Sequence, residues 1–184
     1  MIKQTFLFGS ITLWLLSFSF MVQAQVQNYS LESSSDGISW QVFPQASTSM
    51  TGQQLSSQQV SLPEHVRGVV PGTVFTAYVE AGHEACPEYA DNIYKVDESR
   101  YNRPFWYVGT FSLPQSPSAH QQVWLCFDNI NKYADFYFNG HKISGSDTSV
   151  KDVKGHMLRS RFNVTHLFRA NEKNIIAVLI YDPD

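Results

Sequence analysis

Tyr133-Ala134-Asp135-Phe136-Tyr137-Phe138-Asn139-Gly140-His141-Lys142-Ile143 is the stretch on which the fold turns. Its first six residues are aromatic-rich, as strands are, and Asn-Gly is the strongest two-residue hairpin signal. His141, Lys142 and Ile143 then begin the return strand. Upstream, residues 122–127 alternate Val123, Leu125 and Phe127 against Gln122, Trp124 and Cys126, the period of a strand with one buried face. Strands are also expected over 38–43, 105–113 and 158–164, the last with Phe162 and Val164 facing one way, and in a long apolar run over 174–181. Pro114 and Pro117 end the 105–113 strand, and Thr165 to Phe168 reads as a short helical turn. Short strands separated by turn signals point to a mainly β fold, an antiparallel sandwich or jelly roll, rather than a parallel α/β sheet.

One helix interrupts this pattern. After Pro71-Gly72, Thr73 is a natural N-cap, Val74, Ala77, Tyr78 and Ala81 fall on one helical face, and Gly82 is a natural C-cap. Residues 47–61, rich in Ser, Thr and Gln, read as a surface loop with a short edge strand. Residues 83–104 form a loop crowded with polar and aromatic side chains, and loops of that length are uncommon unless functional or disordered. The last apolar strand lies three residues from the final Asp184, which suggests a sheet left with an unpaired edge and a domain incomplete at its C-terminus.

The first residues bear on location. Lys3, an apolar run over 6–22 and Val22-Gln23-Ala24 read as a secretory signal peptide, residues 1–24, cleaved after Ala24 to give a secreted or periplasmic protein. The apolar run is short for about 30 Å of hydrocarbon. No stop-transfer cluster follows it, so no stable membrane anchor is expected after cleavage. Residues 25–37 are a polar leader with little to bury, and 38–184 make up the sandwich domain.

Of the 184 residues, removal of 1–24 leaves 160 and moves the formal charge from −3 to −4, since Lys3 is the only charge lost. A mildly acidic chain without Lys/Arg clusters offers no surface for nucleic acid. Cys86 and Cys126 have no zinc-site spacing, and no metal or cofactor is expected. Their pairing stays open, although Cys126, in an apolar run, reads as a buried free thiol. His83-Glu84 lacks the second His of a zinc-protease helix. Sequons stand at Asn28 and Asn163; the second reads as a strand-to-turn junction. Asp135 reads either as buried against Arg159 or Arg161 or as exposed on a strand face.

The series Val70-Pro71-Gly72-Thr73-Val74, Asn92-Ile93, Trp106-Tyr107, Phe127-Asp128-Asn129-Ile130-Asn131, Ala134-Asp135, Phe138-Asn139-Gly140, Phe162-Asn163-Val164-Thr165 and Asn174-Ile175-Ile176-Ala177-Val178 resembles the N-terminal sugar-binding domain of glycoside hydrolase family 2. That domain is a galactose-binding-like jelly roll. The branch it looks most like holds exo-β-glucosaminidases and β-mannosidase-like enzymes, and Lys154-Gly155-His156-Met157 is similar to a turn of that branch. The resemblance covers about residues 38–184. A loop that often reads Asp-Pro-Tyr-Tyr-Gly in relatives is Cys86-Pro87-Glu88-Tyr89-Ala90 here.

The resemblance implies a carbohydrate partner, a β-linked glycan or oligosaccharide. It places the sugar-facing residues in the 83–103 loop, with Asp91 and Asn92 foremost and Glu88 and Tyr89 beside them. The catalytic glutamates of such enzymes lie on a downstream barrel, the natural packing partner of this domain. No catalytic residue is therefore expected here, since 160 residues fall short of the roughly 200 a barrel needs. A free-standing carbohydrate-binding or adhesion module and a nonfunctional gene fragment remain alternatives.

Overall fold

The computed structural model describes residues 26–57, 60–113, 117–118, 121–131, 133–144, 153–154 and 159–181. The expected signal peptide with its cleavage point, Pro114, most of the 154–157 turn and the last three residues lie outside these.

Among the described residues, nine strands and two α-helices follow in order: β1 (Ile38–Pro44), α1 (Gly52–Leu55), β2 (Val66–Arg67), α2 (Val74–Glu80), β3 (Phe105–Ser112), β4 (Trp124–Phe127), β5 (Tyr133–Phe138), β6 (His141–Lys142), β7 (Val153–Lys154), β8 (Ser160–Asn163) and β9 (Lys173–Ile180). The main sheet runs β2-β1-β3-β9-β5-β6, with β7 also on β5, and β4 pairs β8 in a second, two-stranded sheet. Every pairing is antiparallel.

Alternation along the strands makes two faces. Trp40, Val42, Phe105, Tyr107, Phe111, Phe136, Phe138, Ile176 and Val178 point to one, where Leu125, Phe162 and Val164 of the small sheet and Ala77 of α2 cover them. Phe136 bridges the two layers, its ring 4.6 Å from Phe127 and 4.8 Å from Phe162 between centroids. Phe43, Trp106, Val108, Tyr137, Ala177 and Leu179 point to the other face, under Leu55 of α1. Both faces of the central strands are buried, which is why the β9 sequence reads as a continuous apolar run.

Several expectations are corrected. β9 is not an open edge: β3 pairs along all eight of its residues, from Phe105↔Ile180 to Ser112↔Lys173, and β5 pairs its other side from Ala134↔Ile180 to Phe138↔Ile176. Its neighbours come from earlier in the chain, so position in sequence says nothing of position in the sheet. Instead of a loop with an edge strand, residues 47–61 hold α1, closed by a Thr51/Gln54 capping box and buried at Leu55. The single expected helix is thus two. The leader is tied down as well: Ser33 Oγ donates to the Gly68 carbonyl at 2.9 Å and accepts from the Val70 N–H at 2.7 Å, and Leu31 packs against the core.

Cys126 faces outward on β4 and is exposed, as is Cys86, and both are free. Asp135 pairs with neither arginine. Its carboxylate takes Lys142 Nζ at 2.9 Å and the Tyr181 hydroxyl at 2.8 Å. Asn163 sits at the foreseen junction, its Oδ1 accepting from Thr165 N–H and Oγ1 at 3.1 and 2.7 Å.

Candidate functional site

The 83–104 loop grows out of α2. Thr73 caps the helix by accepting from the Thr76 N–H at 3.0 Å, and Ala77 seats it on the core. At the far end Gly82, at φ +76, ends it: Gly82 N–H donates to the Val79 carbonyl and His83 N–H to the Tyr78 carbonyl, a Schellman closure that only a left-handed residue allows. The chain is thereby turned off the helix at a fixed angle.

Beyond this point the loop winds through short turns. Tyr89 N–H donates to the Cys86 carbonyl, Asn92 N–H to the Tyr89 carbonyl and Tyr94 N–H to the Asp91 carbonyl. The 3₁₀ turns Asn92–Lys95 and Glu98–Arg100 follow, the second capped by Asp97, whose Oδ1 accepts from the Ser99 N–H and hydroxyl at 3.1 and 2.6 Å. The Ser99 hydroxyl bond holds the Asp97 carboxyl below its ordinary range.

The four residues singled out from the sequence share this loop but differ in what their side chains do. Glu88, Tyr89 and Asp91 are exposed, Tyr89 to 75%. Asn92 is half-buried and donates its Nδ2 to the Cys86 carbonyl at 3.1 Å, so it cinches the loop across six residues. Tyr94 and Ile93 join Tyr89 on the surface, at 88% and 52% exposure.

Sequence reasoning missed what holds the loop's ends together. One carboxylate oxygen of Glu84 accepts both from the Arg100 guanidinium and from the Tyr101 hydroxyl, the latter at 2.7 Å. Tyr101 in turn meets Phe75 and Tyr78 of α2 edge to face, with centroids 5.4 and 5.7 Å apart. Burial first, and then the bond to Glu84, push the Tyr101 phenol well above its ordinary value. Glu84 and Tyr101 are seventeen residues apart with no periodicity linking them, so no local pattern announces the contact.

Among the described residues no cluster of three His, Cys, Asp or Glu could hold a metal ion, and no helix is long and apolar enough to cross a membrane.

Residues 46–183 match the protein family described as the glycosyl hydrolase 2 galactose-binding domain-like family, well over half of the chain. The chain belongs to that family. This galactose-binding-like domain is 30% identical over 157 residues to a mannosylglycoprotein endo-β-mannosidase of Lilium longiflorum, covering 79% of the chain and 15% of the relative. It is 28% identical over 103 residues to an exo-β-D-glucosaminidase of Streptomyces avermitilis, covering 56% of the chain and 11% of that protein. The chain thus spans less than a sixth of the length of these curated relatives. In fold it is similar to an exo-chitosanase of Amycolatopsis orientalis, with a TM-score of 0.66 at 21% identity over 79% of this chain and 16% of the other.

Proposed function

We propose that this galactose-binding-like domain holds a β-linked saccharide on its 83–104 loop and does not itself cleave it. Two tyrosines on an anchored loop carry the reading: Tyr89 and Tyr94 are three-quarters or more exposed, beside the carboxylates of Glu88 and Asp91. Tyrosine rings cover the apolar faces of sugars, while carboxylate and amide oxygens take their hydroxyls. Asn92 keeps its Oδ1 for this purpose while its Nδ2 braces the loop. The parent activity is hydrolysis of O-glycosyl bonds such as β-glucosaminides or β-mannosides, supplied by a catalytic barrel that packs beside the domain. Retaining hydrolysis by such a barrel requires two carboxyl groups about 5–5.5 Å apart. The apolar run over 6–22 and Val22-Gln23-Ala24, read as a cleaved signal peptide, support a mature protein in the periplasm or outside the cell.

The 184-residue chain is to be titrated with a β-linked glucosamine oligomer and a β-linked mannose oligomer, and assayed with the matching aryl glycosides. The expected result is saturable binding of one oligomer, about tenfold weaker in Tyr94→Ala, which removes a stacking ring, and no turnover of either glycoside. Clear hydrolysis, or affinity indifferent to Tyr89→Ala and Tyr94→Ala, sinks the reading.

A free-standing secreted carbohydrate-binding module is the second reading. It is favoured by one observation, the pairing of β9 on both sides, which leaves no long apolar strand edge there to drive aggregation. A soluble, monomeric chain with measurable sugar affinity supports it; light scattering that rises with concentration counts against it.

A further inference from the structure

The loop that carries the proposed site spans some twenty residues between α2 and β3 and has little core of its own. Its shape therefore depends on a few cross-links. Three are present at different depths: the Schellman closure at Gly82, the Asn92–Cys86 bond in the middle, and the convergence of Arg100 and Tyr101 on Glu84. The last differs in kind. It joins the loop's two ends, and its carboxylate is largely covered, with the Glu84 side chain only 13% exposed.

We propose that Glu84 is the positioning residue of the recognition loop, fixing the presentation of Tyr89 and Tyr94 through Tyr101 and Arg100 without touching the sugar. The inference rests on the sugar-binding reading of that loop and adds to it the group that sets its geometry.

The chemistry is specific. Both donors meet the same oxygen, Oε1, so one acceptor atom determines where the 84–85 and 100–101 segments sit relative to each other. The Tyr101 ring is wedged edge-on between Phe75 and Tyr78, so the phenol cannot swing to another acceptor without leaving its aromatic slot. Arg100 lies 5.8 Å over the same ring and closes it from the solvent side. Helix α2 is seated on the sandwich core through Ala77. Glu84 thus relays the rigidity of the core, through Tyr78, Phe75 and Tyr101, to the far end of the loop.

The experiment compares Glu84→Ala, Glu84→Gln and Tyr101→Phe with the wild-type 184-residue chain. Trypsin cleavage after the exposed Lys95 reports loop order, and titration with the glucosamine and mannose oligomers reports binding. Loss of a charge-assisted acceptor should make Glu84→Ala bind about tenfold more weakly and be cut about tenfold faster. Its thermal midpoint should stay close to wild type, because Tyr101 keeps its ring contacts with Phe75 and Tyr78 when the Glu84 carboxylate is removed. Glu84→Gln keeps Oε1 as an acceptor for both donors and should return affinity and protection to within about threefold of wild type. Tyr101→Phe keeps the aromatic packing and should fall between the two.

Unchanged cleavage in Glu84→Ala overturns the proposal whatever the sugar result, as does Glu84→Gln behaving like Glu84→Ala. A wild-type chain that binds neither oligomer, with cleavage that still rises in Glu84→Ala and is restored in Glu84→Gln, overturns the sugar-binding reading and leaves the positioning of the loop by Glu84 standing.

Discussion

Asn174, at the start of β9, is fully buried and polar, and every polar atom of its side chain is used. Its Oδ1 accepts from the Arg169 N–H and from Asn139 Nδ2, both at 2.9 Å, and its Nδ2 donates to the Arg169 and Glu172 carbonyls at 2.7 and 3.2 Å. Asn139, at φ +47 beside Gly140 at φ +87, makes the hairpin turn that the Asn-Gly pair announces. The same side chain also bonds the Leu167 carbonyl at 2.8 Å and the Ile175 N–H at 2.9 Å, which no dipeptide rule foresees. Asn174→Ala would strand several buried groups at once, and a loss of about 3 kcal/mol is expected from urea unfolding. An equal loss in Asn139→Ala with no additivity in the double variant would show that the two act as one network.

Among the elements, α2 was legible because its stripe, cap and stop all agree, and the capping bond of Thr73 bears this out. Thr73→Ala should lower stability by about 1 kcal/mol, read as a lower melting temperature with an unchanged circular dichroism spectrum. α1 was not legible as a helix, since four residues carry no period; its one signal was the Thr51–Gln54 capping pair before Leu55. In the loop, Ala90 holds φ +51, a left-handed conformation, at the position where the resembled family pattern carries Gly. Ala90→Gly relieves that backbone and, after the entropy glycine adds to the unfolded chain, should gain a net of about 0.5–1 kcal/mol in local stability. Slower amide exchange at Asn92 and Tyr94 would show it; faster exchange would contradict it.

At the scale of the whole molecule, the core shields an ionisable group. Burial raises the Tyr107 phenol far above the ordinary 10.0. The unfolded chain gives up that proton near 10.0 while the folded chain keeps it, so the unfolded state binds fewer protons and stability falls as pH rises past that value. Tyr101, raised mainly by burial and then by Glu84, adds to the same trend. Urea midpoints taken across about pH 8 to 11 should drop, and Tyr107→Phe should flatten the drop. A midpoint independent of pH in that range would mean that Tyr107 is reached by water.

The sequence by itself determined what depends on neighbours along the chain. Period-two patterning marked β1 and β4, runs closed by Pro114 and by Asn139-Gly140 marked β3 and β5, and Thr73 and Gly82 bounded α2, because sterics, caps and turn geometry act over a few residues. It also located the loop of the candidate site by its length and composition. Only the tertiary structure decided that β9 lies between β3 and β5, that Cys126 faces out, that Asp135 takes Lys142 and Tyr181, and that Glu84 closes the loop on Tyr101. Those contacts join residues brought together by the folding of the sheet, and their energies depend on burial and direction, which spacing in a sequence does not carry.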